Sequence, residues 1–242
     1  MSVIRLFQSM ALKPHQALQL DHKASHHLIH VLRKKKGAQV ILFNGDGCDY
    51  HSVISSIDKK GVVIQIVKAV SINRESPLVI ELAQGIARSQ KMDVIIQKAV
   101  ELGVSRLIPL ITERSQYSLK KPQEKNRLSR WQSVMFSACE QCGRNRIPTI
   151  SSPQRLDAYL PQVNTPLRMV LSPYVDAKLP DHLKLPEAIT LLIGPEGGFT
   201  DTEITNAQKH QFIPLSLGPR ILRTETATIA ALTLMQSRFG DL

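Results

Sequence analysis

A glycine-rich loop that directly follows an apolar run is the strongest chemical signal in the sequence. Residues 191–203 read LLIGPEGGFTDTE, with Gly194, Gly197 and Gly198 around one glutamate. Glycines leave backbone N–H groups uncovered, so a ligand can approach closely, and ligands of open α/β sheets bind at such strand ends. The segment matches neither G-x-x-x-x-G-K-S/T nor G-x-G-x-x-G, which argues against nucleoside triphosphates. It predicts a ligand loop; the alternative is a tight strand–helix turn that binds nothing.

A second loop of this type follows the next apolar run, in PLSLGPRILRTETATIAALTLM. Gly218 interrupts the run, and Arg223 and Glu225 lie at the predicted start of a helix. A cation at a helix N-terminus opposes the helix dipole, and a residue placed against its local preference is more often functional than not. Arg223 is therefore predicted to be functional; the alternative is a surface ion pair with Glu225. The predicted inward face of the helix consists of Ala227, Ala230, Ala231 and Leu234.

Strands and helices must position these loops. The sequence from Pro77 onward contains five short apolar runs: LVIELAQG, VSRLIPLI, LRMVLS, AITLLIG and FIPLSLG. Such runs are typical of strands buried in a parallel sheet. Helices are predicted over 91–103 and Arg127–Cys142, and Thr200 with Glu203 forms a capping box that starts another. The predicted inward residues are Met92, Ile95, Ile96, Ala99 and Leu102, then Leu128, Trp131, Met135, Ala138 and Cys142. Residues 73–242 are thus predicted to form an α/β domain with helices on both faces of its sheet.

The first 70 residues follow a different pattern. The runs QVILFNGDG, YHSVISSI and VVIQIV are separated by turn signals, which predicts an antiparallel meander in a small β domain over 1–72. Before it, Ser25–Lys36 is predicted to be a short helix that Gly37 closes. Its end, Arg33–Lys36, is entirely cationic, which favours contact with phosphates; the alternative is a solvated helix end. The polar stretch 71–77, SINRESP, is the predicted linker.

Charge and cysteine content narrow the class of protein. The 242 residues include 31 Lys and Arg against 20 Asp and Glu, a net charge of +11, which favours a polyanionic partner. No stretch has the roughly 18 apolar residues of a membrane span, and the N-terminal residues lack the apolar core of a signal peptide. Three cysteines are too few for a disulfide framework, which favours a reducing compartment. We therefore expect a cytoplasmic protein without a membrane partner.

The sequence contains two clusters of residues that often bind metals, and we expect neither cluster to bind one. Cys139 and Cys142 have CxxC spacing, but no second pair exists in the sequence, so packing on one helix face is preferred. His26, His27 and His30 have no nearby acidic or cysteine ligand to complete a site, so contact with RNA or exposure at a surface is preferred. No metal is expected.

The chain resembles the bacterial ribosomal RNA small subunit methyltransferase E family of the SPOUT superfamily. The matching stretches are HHLIHVLRKKKG, QKAVELGVSRLIPLITERS, ACEQCGRNRIP, LLIGPEGGFTDTE and LGPRILRTETA. They follow the family's order over nearly the whole chain, so the resemblance is specific. His30 is a departure, because many family members carry Arg there.

The resemblance implies an N-terminal PUA-like β-barrel that binds RNA and a C-terminal α/β domain with a deep trefoil knot. It implies that a homodimer methylates N3 of a uridine in 16S ribosomal RNA of the small ribosomal subunit, with S-adenosylmethionine as cofactor. The alternatives are a SPOUT enzyme of other specificity, acting on transfer RNA or a ribose 2′-oxygen, and a non-catalytic ribosome-assembly factor that binds RNA.

The resemblance also implies site residues. Arg223 is expected to stabilise charge on the uracil oxygens, and Glu196 or Glu225 to orient the base or accept the N3 proton. The residues expected to bind the cofactor are Leu171, Ser172, Gly194, Pro195, Glu196, Gly197, Leu215, Leu217, Gly218, Ile221, Leu222 and Thr226. Those expected to contact RNA are Arg5, His27, Arg33, Lys34, Lys35, Arg88, Lys91, Arg114 and Arg144. For Arg88 and Lys91 the alternative is a solvated helix face.

Overall fold

Contacts divide the chain into two compact units. The structure is a computed structural model and describes residues 3–59, 61–115, 121–175, 177, 179 and 185–242, without the side chains of 89 and 121–124. The first unit comprises Met1–Glu75 and Cys139–Ile147, and the second Ser76–Ala138 and Pro148–Leu242. No helix within the described ranges has the length and apolar character needed to cross a membrane. The contacts group Cys139–Ile147 with the first unit, which the expected boundary at residue 72 did not include.

A five-stranded sheet forms most of the first unit. Its elements are β1 (Ile4–Phe7), β2 (Ala17–Gln19), α1 (His22–His26), a π-helical turn (His27–Val31), β3 (Gln39–Phe43), β4 (Cys48–Asp58) and β5 (Gly61–Ser71). The strand order is β1-β3-β4-β5-β2; β1 runs parallel to β3 and the other neighbours are antiparallel. The predicted meander is confirmed as β3, β4 and β5, because alternating apolar residues such as Leu42, Ile54 and Ile64 fill one core.

The predicted helix over Ser25–Lys36 is wrong at both ends. α1 starts earlier, at His22, because the Asp21 side chain accepts a backbone N–H of its first turn at 2.7 Å and caps it. The π-helical turn ends at Val31, and Arg33 then adopts a left-handed φ of +48°, which no right-handed helix continues. The cationic run therefore follows the helical segment and does not form its last turn.

A parallel sheet of seven strands forms the second unit. Its elements are β6 (Val79–Gly85), α2 (Ser89–Glu101), β7 (Arg106–Ile111), α3 (Lys121–Cys142), β8 (Thr149–Ile150), β9 (Gln154–Arg155), α4 (Leu156–Tyr159), a 3-10 turn (Leu160–Gln162), β10 (Leu167–Leu171), β11 (Ala188–Ile193), α5 (Asp201–Lys209), β12 (Ile213–Leu215) and α6 (Thr224–Phe239). The order is β12-β10-β11-β6-β7-β8, and β9 also pairs with β7. All five predicted strands and the α/β class are confirmed. The strands β8 and β9 were not predicted, because each has only two residues and an alternation of apolar and polar residues cannot be recognised over so short a segment.

The predicted inward faces of α2 and α3 are largely confirmed. Met92, Ile95, Ile96 and Ala99 are buried on α2, and Trp131, Met135 and Ala138 are buried on α3. Leu102, Leu128 and Cys142 are half-buried, and Cys139 is fully buried.

The inward face of α6 differs from the predicted alanine face. Only Ala231 of the predicted residues is buried, whereas Ala227, Ala230 and Leu234 are half-buried. The buried residues are Thr224, Thr228, Ala231, Leu232, Met235, Gln236 and Phe239. Some of them are polar and hydrogen-bonded inside the unit; Gln236, for example, donates to the Leu102 carbonyl at 2.8 Å. The pattern of apolar residues alone therefore pointed to the wrong face.

A buried carboxylate anchors the first unit. Asp49 is 1% exposed and accepts hydrogen bonds from Arg5 at 2.7 and 2.9 Å and from Arg74 at 3.1 Å. Asn145, in the segment Cys139–Ile147, also donates to it at 3.1 Å. Burial alone would raise the pKa of Asp49, but the hydrogen bonds from Arg5 and Arg74 outweigh it and hold the pKa below its ordinary value.

Two cations that were predicted to contact RNA are used inside this unit. The Arg5 side chain is 9% exposed, is paired with Asp49, and lies 5.1 Å from the centroid of the Phe43 ring. Arg144 is buried and donates to Glu75 through Nε at 3.1 Å and through Nη2. Both guanidinium groups are largely buried and paired with a carboxylate, so we do not include them among the cations proposed to contact RNA.

We predict that Asp49→Asn destabilises the protein by about 3–5 kcal/mol, because it leaves two guanidinium groups without their anion. Denaturant unfolding at neutral pH measures the loss. Since the folded-state pKa of Asp49 lies below the unfolded value, its contribution is present at neutral pH and disappears as the pH falls through the folded-state pKa. The difference between wild type and variant should therefore shrink in acid.

Asp157→Asn is the matched control for this measurement. Asp157 pairs with Arg155 at 3.1 Å, but the two side chains are 59% and 67% exposed, so the unfolding midpoint should hardly move. Equal losses in the two variants would contradict the anchoring role of Asp49.

Candidate functional site

A cavity lies at the carboxyl ends of β10, β11 and β12. Its volume is about 420 Å³, within the range of small-molecule sites, which is roughly 300–1,000 Å³. Leu171, Ile193 and Leu215, the last residues of the three strands, all line it. The loops that follow these strands form much of the rest of the wall, together with residues of α5 and α6 and with Arg114 after β7. The two glycine-rich segments found in the sequence are two of these loops.

Most residues predicted to bind a cofactor line this cavity. They are Leu171, Ser172, Gly194, Pro195, Glu196, Gly197, Leu215, Leu217, Gly218, Ile221 and Leu222. Thr226 does not line it; this side chain is exposed on α6, while Thr224 and Ala227 take part in the wall instead. The wall also contains residues that were not predicted individually, among them Pro173, Tyr174, Val175, Phe199 and Arg220. Tyr174 and Val175 closely follow the predicted residues Leu171 and Ser172 in the chain, and this proximity was the available signal.

A fully buried glutamine on β6 connects two of the cavity loops. The Gln84 amide nitrogen lies 3.2 Å from the Gly194 carbonyl and 3.1 Å from the Thr224 hydroxyl, and its carbonyl accepts from Thr228 at 2.8 Å. Thr224 in turn donates to the Gly194 carbonyl at 2.6 Å. One side chain therefore fixes the start of the loop after β11 against the N-terminus of α6. Sequence reasoning missed Gln84, although a glutamine inside an apolar strand was a visible exception.

Two glycines make this connection possible by close packing of the backbone. A Cβ on Gly85 would lie 2.5 Å from Pro195 Cδ, and one on Gly194 would lie 3.0 Å from the Gly198 carbonyl carbon. Real Cβ atoms do not tolerate the first distance, and the second requires the loop to shift. Gly194 was predicted to let a ligand approach the backbone; the structure shows that the loop itself occupies the space beside it.

Two polar contacts hold the loop 194–199 from its other side. Arg114 lines the cavity and donates to the carbonyls of Gly197 at 2.9 Å and Phe199 at 3.4 Å. The predicted capping box of α5 is confirmed, since Glu203 and Thr200 each accept the other's backbone N–H. Arg114 was predicted to contact RNA or the active site, and the structure places it in the cavity wall; its contact with RNA stays a prediction.

A lysine lies between the two carboxylates that were predicted to serve chemistry. Lys91 Nζ is 3.7 Å from Glu196 and 3.7 Å from Glu225. Glu196 also accepts the backbone N–H of Arg88 at 3.1 Å, so it supplies negative charge at the start of α2. Of the two carboxylates, Glu196 lines the cavity and Glu225 does not. Both acids thus lie at ion-pair distance from one shared cation.

Arg223 is the residue immediately before α6 and is exposed. It stands between Leu222 and Thr224, which both line the cavity. Within the described residues it makes no side-chain hydrogen bond or ion pair at standard distances, and Glu225 pairs with Lys91 instead. The surface pair between Arg223 and Glu225, which was the alternative interpretation, is therefore not formed.

The remaining cations predicted to contact RNA are at surfaces. His27, Arg33, Lys35 and Arg88 are exposed, and Lys34 is half-buried. Their contact with RNA stays a prediction.

Comparison with known proteins identifies the family. Residues 74–236 match a family model described as an RNA methyltransferase domain, and residues 20–67 match one described as an RNA methyltransferase PUA domain. The ribosomal RNA small subunit methyltransferase E of Buchnera aphidicola (subsp. Schizaphis graminum) is 38% identical over 98% of this chain and 97% of its own. The chain belongs to the ribosomal RNA small subunit methyltransferase E family.

Two solved structures resemble this methyltransferase over its whole length. A Legionella pneumophila protein described as a methyltransferase, in complex with S-adenosylmethionine, has 42% identity and a TM-score of 0.96, with complete coverage of both chains. The ribosomal RNA small subunit methyltransferase E of Neisseria gonorrhoeae, bound to S-adenosylmethionine, has 34% identity and a TM-score of 0.91, again with complete coverage.

We predict that Gln84→Met loosens the cavity loops of this methyltransferase. The thioether cannot replace the hydrogen bonds to Gly194, Thr224 and Thr228, and each buried polar group left without a partner costs about 1–3 kcal/mol. Hydrogen exchange of the amides in 194–199 should become about tenfold faster or more. Gln208→Met, at an exposed position of α5, is the control and should change neither exchange nor stability. Unchanged exchange in the Gln84 variant would refute this connection.

Proposed function

We propose that the protein transfers a methyl group from S-adenosylmethionine to N3 of a specific uridine in 16S ribosomal RNA of the small ribosomal subunit. The observation that carries the proposal is the cavity at the ends of β10, β11 and β12, built by both glycine-rich loops in a chain of this family. The two relatives whose structures contain S-adenosylmethionine resemble this chain over its full length, which supports the same cofactor here.

The residues of the cavity fit this cofactor. Leu217, Ile221 and Leu222 supply an apolar wall for the adenine ring, and the adjoining loop backbone supplies polar groups for its edges. Gly218 has a φ of +106°, a conformation that favours glycine, and the space where a Cβ would lie is open. The turn therefore carries no side chain at this position. When bound, S-adenosylmethionine supplies a methyl group that is electrophilic because it is attached to a sulfonium.

The N3 proton of uridine must be lost for N3 to accept the methyl group, and residues of the chain must assist this loss. As this proton leaves, negative charge develops on the uracil oxygens, and a positioned cation stabilises it. Arg223 is suited to this task, because it is exposed beside the cavity wall and no carboxylate neutralises it among the described residues. Glu196 and Glu225 share Lys91, so we assign them to holding the loop against α2 and α6 and not to accepting the proton.

RNA binding is assigned to the exposed cations of both units. The net charge of +11 suits a polyanion, and the match to an RNA methyltransferase PUA domain supports the first unit as an RNA-binding domain. The residues proposed to contact phosphates are His27, Arg33, Lys34, Lys35 and Arg88; Lys91 is left out because it lies between Glu196 and Glu225. A ribosomal substrate implies that the enzyme acts in the cytoplasm.

A homodimer and a trefoil knot are also part of the proposal. Tyr174 and Ile221 are 81% and 75% exposed beside the cavity, and large apolar side chains exposed together mark interaction surfaces. A second subunit at this face would cover them. The chain passes from β11 through α5 to β12 on the far side of β10, a crossing that is compatible with the knot.

We predict that the purified protein methylates one uridine base in 16S ribosomal RNA. A methyl group on N3 blocks Watson–Crick pairing, so reverse transcription should stop at one position after incubation with S-adenosylmethionine and not without it. Transfer RNA is the parallel substrate and should stay unmodified. Protection of a single phosphodiester from alkaline cleavage would indicate ribose 2′-O-methylation instead. Cofactor and RNA binding without methylation would favour the assembly-factor alternative.

We predict that Arg223→Ala slows single-turnover methylation by about 10²–10³, the usual effect of losing one preorganised charge stabiliser. Cofactor and RNA affinities should stay nearly constant, since the interaction forms mainly in the transition state. Arg223→Lys should recover only part of the rate, because an ammonium lacks the guanidinium fork. Arg238→Ala, near the other end of α6, is the control. A defect that consists entirely of weaker cofactor binding would remove Arg223 from the catalytic role.

A further inference from the structure

A column of histidines stands on the surface of the first unit. His22, His26 and His30 are spaced four residues apart along α1 and the π-helical turn, and all three are exposed. The ring centroids of His22 and His26 are 6.3 Å apart in a stacked arrangement, and those of His26 and His30 are 4.7 Å apart. The column is therefore one continuous imidazole surface, and the proposed reaction does not use it.

The backbone beside the column has two uncommon conformations. The turn His27–Val31 is π-helical, and the Leu32 N–H donates to the His27 carbonyl at 2.9 Å. Arg33 follows with a φ of +48°, although it is not a glycine. Single π-helical turns and left-handed non-glycine residues both cost energy and concentrate at functional sites. Here both occur where the histidine column meets the cationic run Arg33–Lys36.

Charged groups around the column are predominantly positive. The cations on α1 and in the segment after the π-helical turn are Lys23, Arg33, Lys34, Lys35 and Lys36. Lys59 lies at the turn before β5, the strand on which α1 packs. The acids are Asp21, Asp58 and Glu140. Asp21 is engaged in capping α1. Burial raises the pKa of Glu140, against the opposing effects of the Phe7 N–H, His27 and Lys23. The face as a whole is suited to an anion.

We propose that His22, His26 and His30 form, together with Arg33, a surface that binds RNA phosphates with uptake of protons. Imidazole is the side chain that changes charge near neutral pH. Two rings 4.7 Å apart can both lie beside one phosphate, and an adjacent negative charge favours the protonated form of an imidazole. Protonation and RNA binding therefore favour each other. The inference rests on the proposed function, since RNA is its ligand.

An anion suits the column better than a metal ion. Within the described residues, no group of three or more His, Cys, Asp or Glu side chains has the arrangement of a metal site. The nearby exposed Lys23, Arg33 and Lys35 would also repel a cation, whereas they add to the attraction of a phosphate chain.

Filter binding of a 16S ribosomal RNA transcript at pH 6 and pH 8, at constant ionic strength, tests the proposal. The full-length protein should bind about tenfold more tightly at pH 6, which over two pH units corresponds to a mean uptake of about half a proton per complex. Replacing His22, His26 and His30 together by Gln should abolish this difference and leave the affinity at pH 8 within about twofold. An unchanged thermal unfolding curve of the whole protein reports that the variant is folded.

Two further variants separate the column from its surroundings. His15 is exposed in the same unit with a φ of +63°, and His15→Asn, which tolerates that conformation, should keep the full pH dependence. Arg33→Gly keeps the left-handed backbone and should weaken binding at both pH values, reducing the slope of log affinity against log salt by about one.

The outcomes are distinguishable. A pH dependence that survives in the triple variant, or is lost in His15→Asn, overturns the histidine surface. A transcript that is methylated but bound equally at both pH values overturns this inference and leaves the proposed function intact. A transcript that is neither bound nor methylated at either pH overturns both.

Discussion

The geometry of the candidate active-site cavity depends on one buried amide. Gln84 occupies a position on β6 whose neighbour in the sheet is Ile193, the last residue of β11, so the register of the two strands brings it beside the loop that starts at Gly194. A buried amide must find partners for its donors and its acceptor, and the partners available are the loop carbonyls and the threonines of α6. Burial of one polar side chain thereby determines how two loops meet.

The position of Arg223 follows from the same constraint. Thr224 is held to the Gly194 carbonyl at 2.6 Å, and α6 starts at this residue, so the residue before it emerges beside the cavity. The helix dipole disfavours a cation there, and the buried bonds of Thr224 and Thr228 offset that preference. Lys91 adds a second constraint by standing between the acids of the loop and of α6. The chemistry assigned to this end of the sheet thus relies on residues that lie outside the cavity.

Sequence reasoning succeeded where a short-range pattern carries the information. Continuous apolar runs predicted the strands of the parallel sheet, and glycines after two of them predicted loops that line the cavity, including Gly194 and Gly218. It failed where one long-range polar contact decides the outcome. Nothing near Gln84 in the sequence indicates its partners at Thr224 and Thr228, and the buried face of α6 was misjudged because its polar residues are bonded inside. The predicted start of α1 was likewise wrong, because a single capping bond to Asp21 makes the helix begin earlier than its apolar pattern indicated.

The cations of the protein divide into those paired inside the fold and those exposed at the surface. A cation that already neutralises a buried carboxylate releases few counterions when a polyanion binds, so it adds little to RNA affinity. Arg5 and Arg144 belong to this group, since each is paired inside the first unit. Arg33 and Lys35, in contrast, are exposed after a strained turn. The count of 31 Lys and Arg therefore overstates the number of phosphates that the protein can neutralise. Under the proposed function, the salt dependence of RNA binding is set by exposed cations such as Arg33 and Lys35.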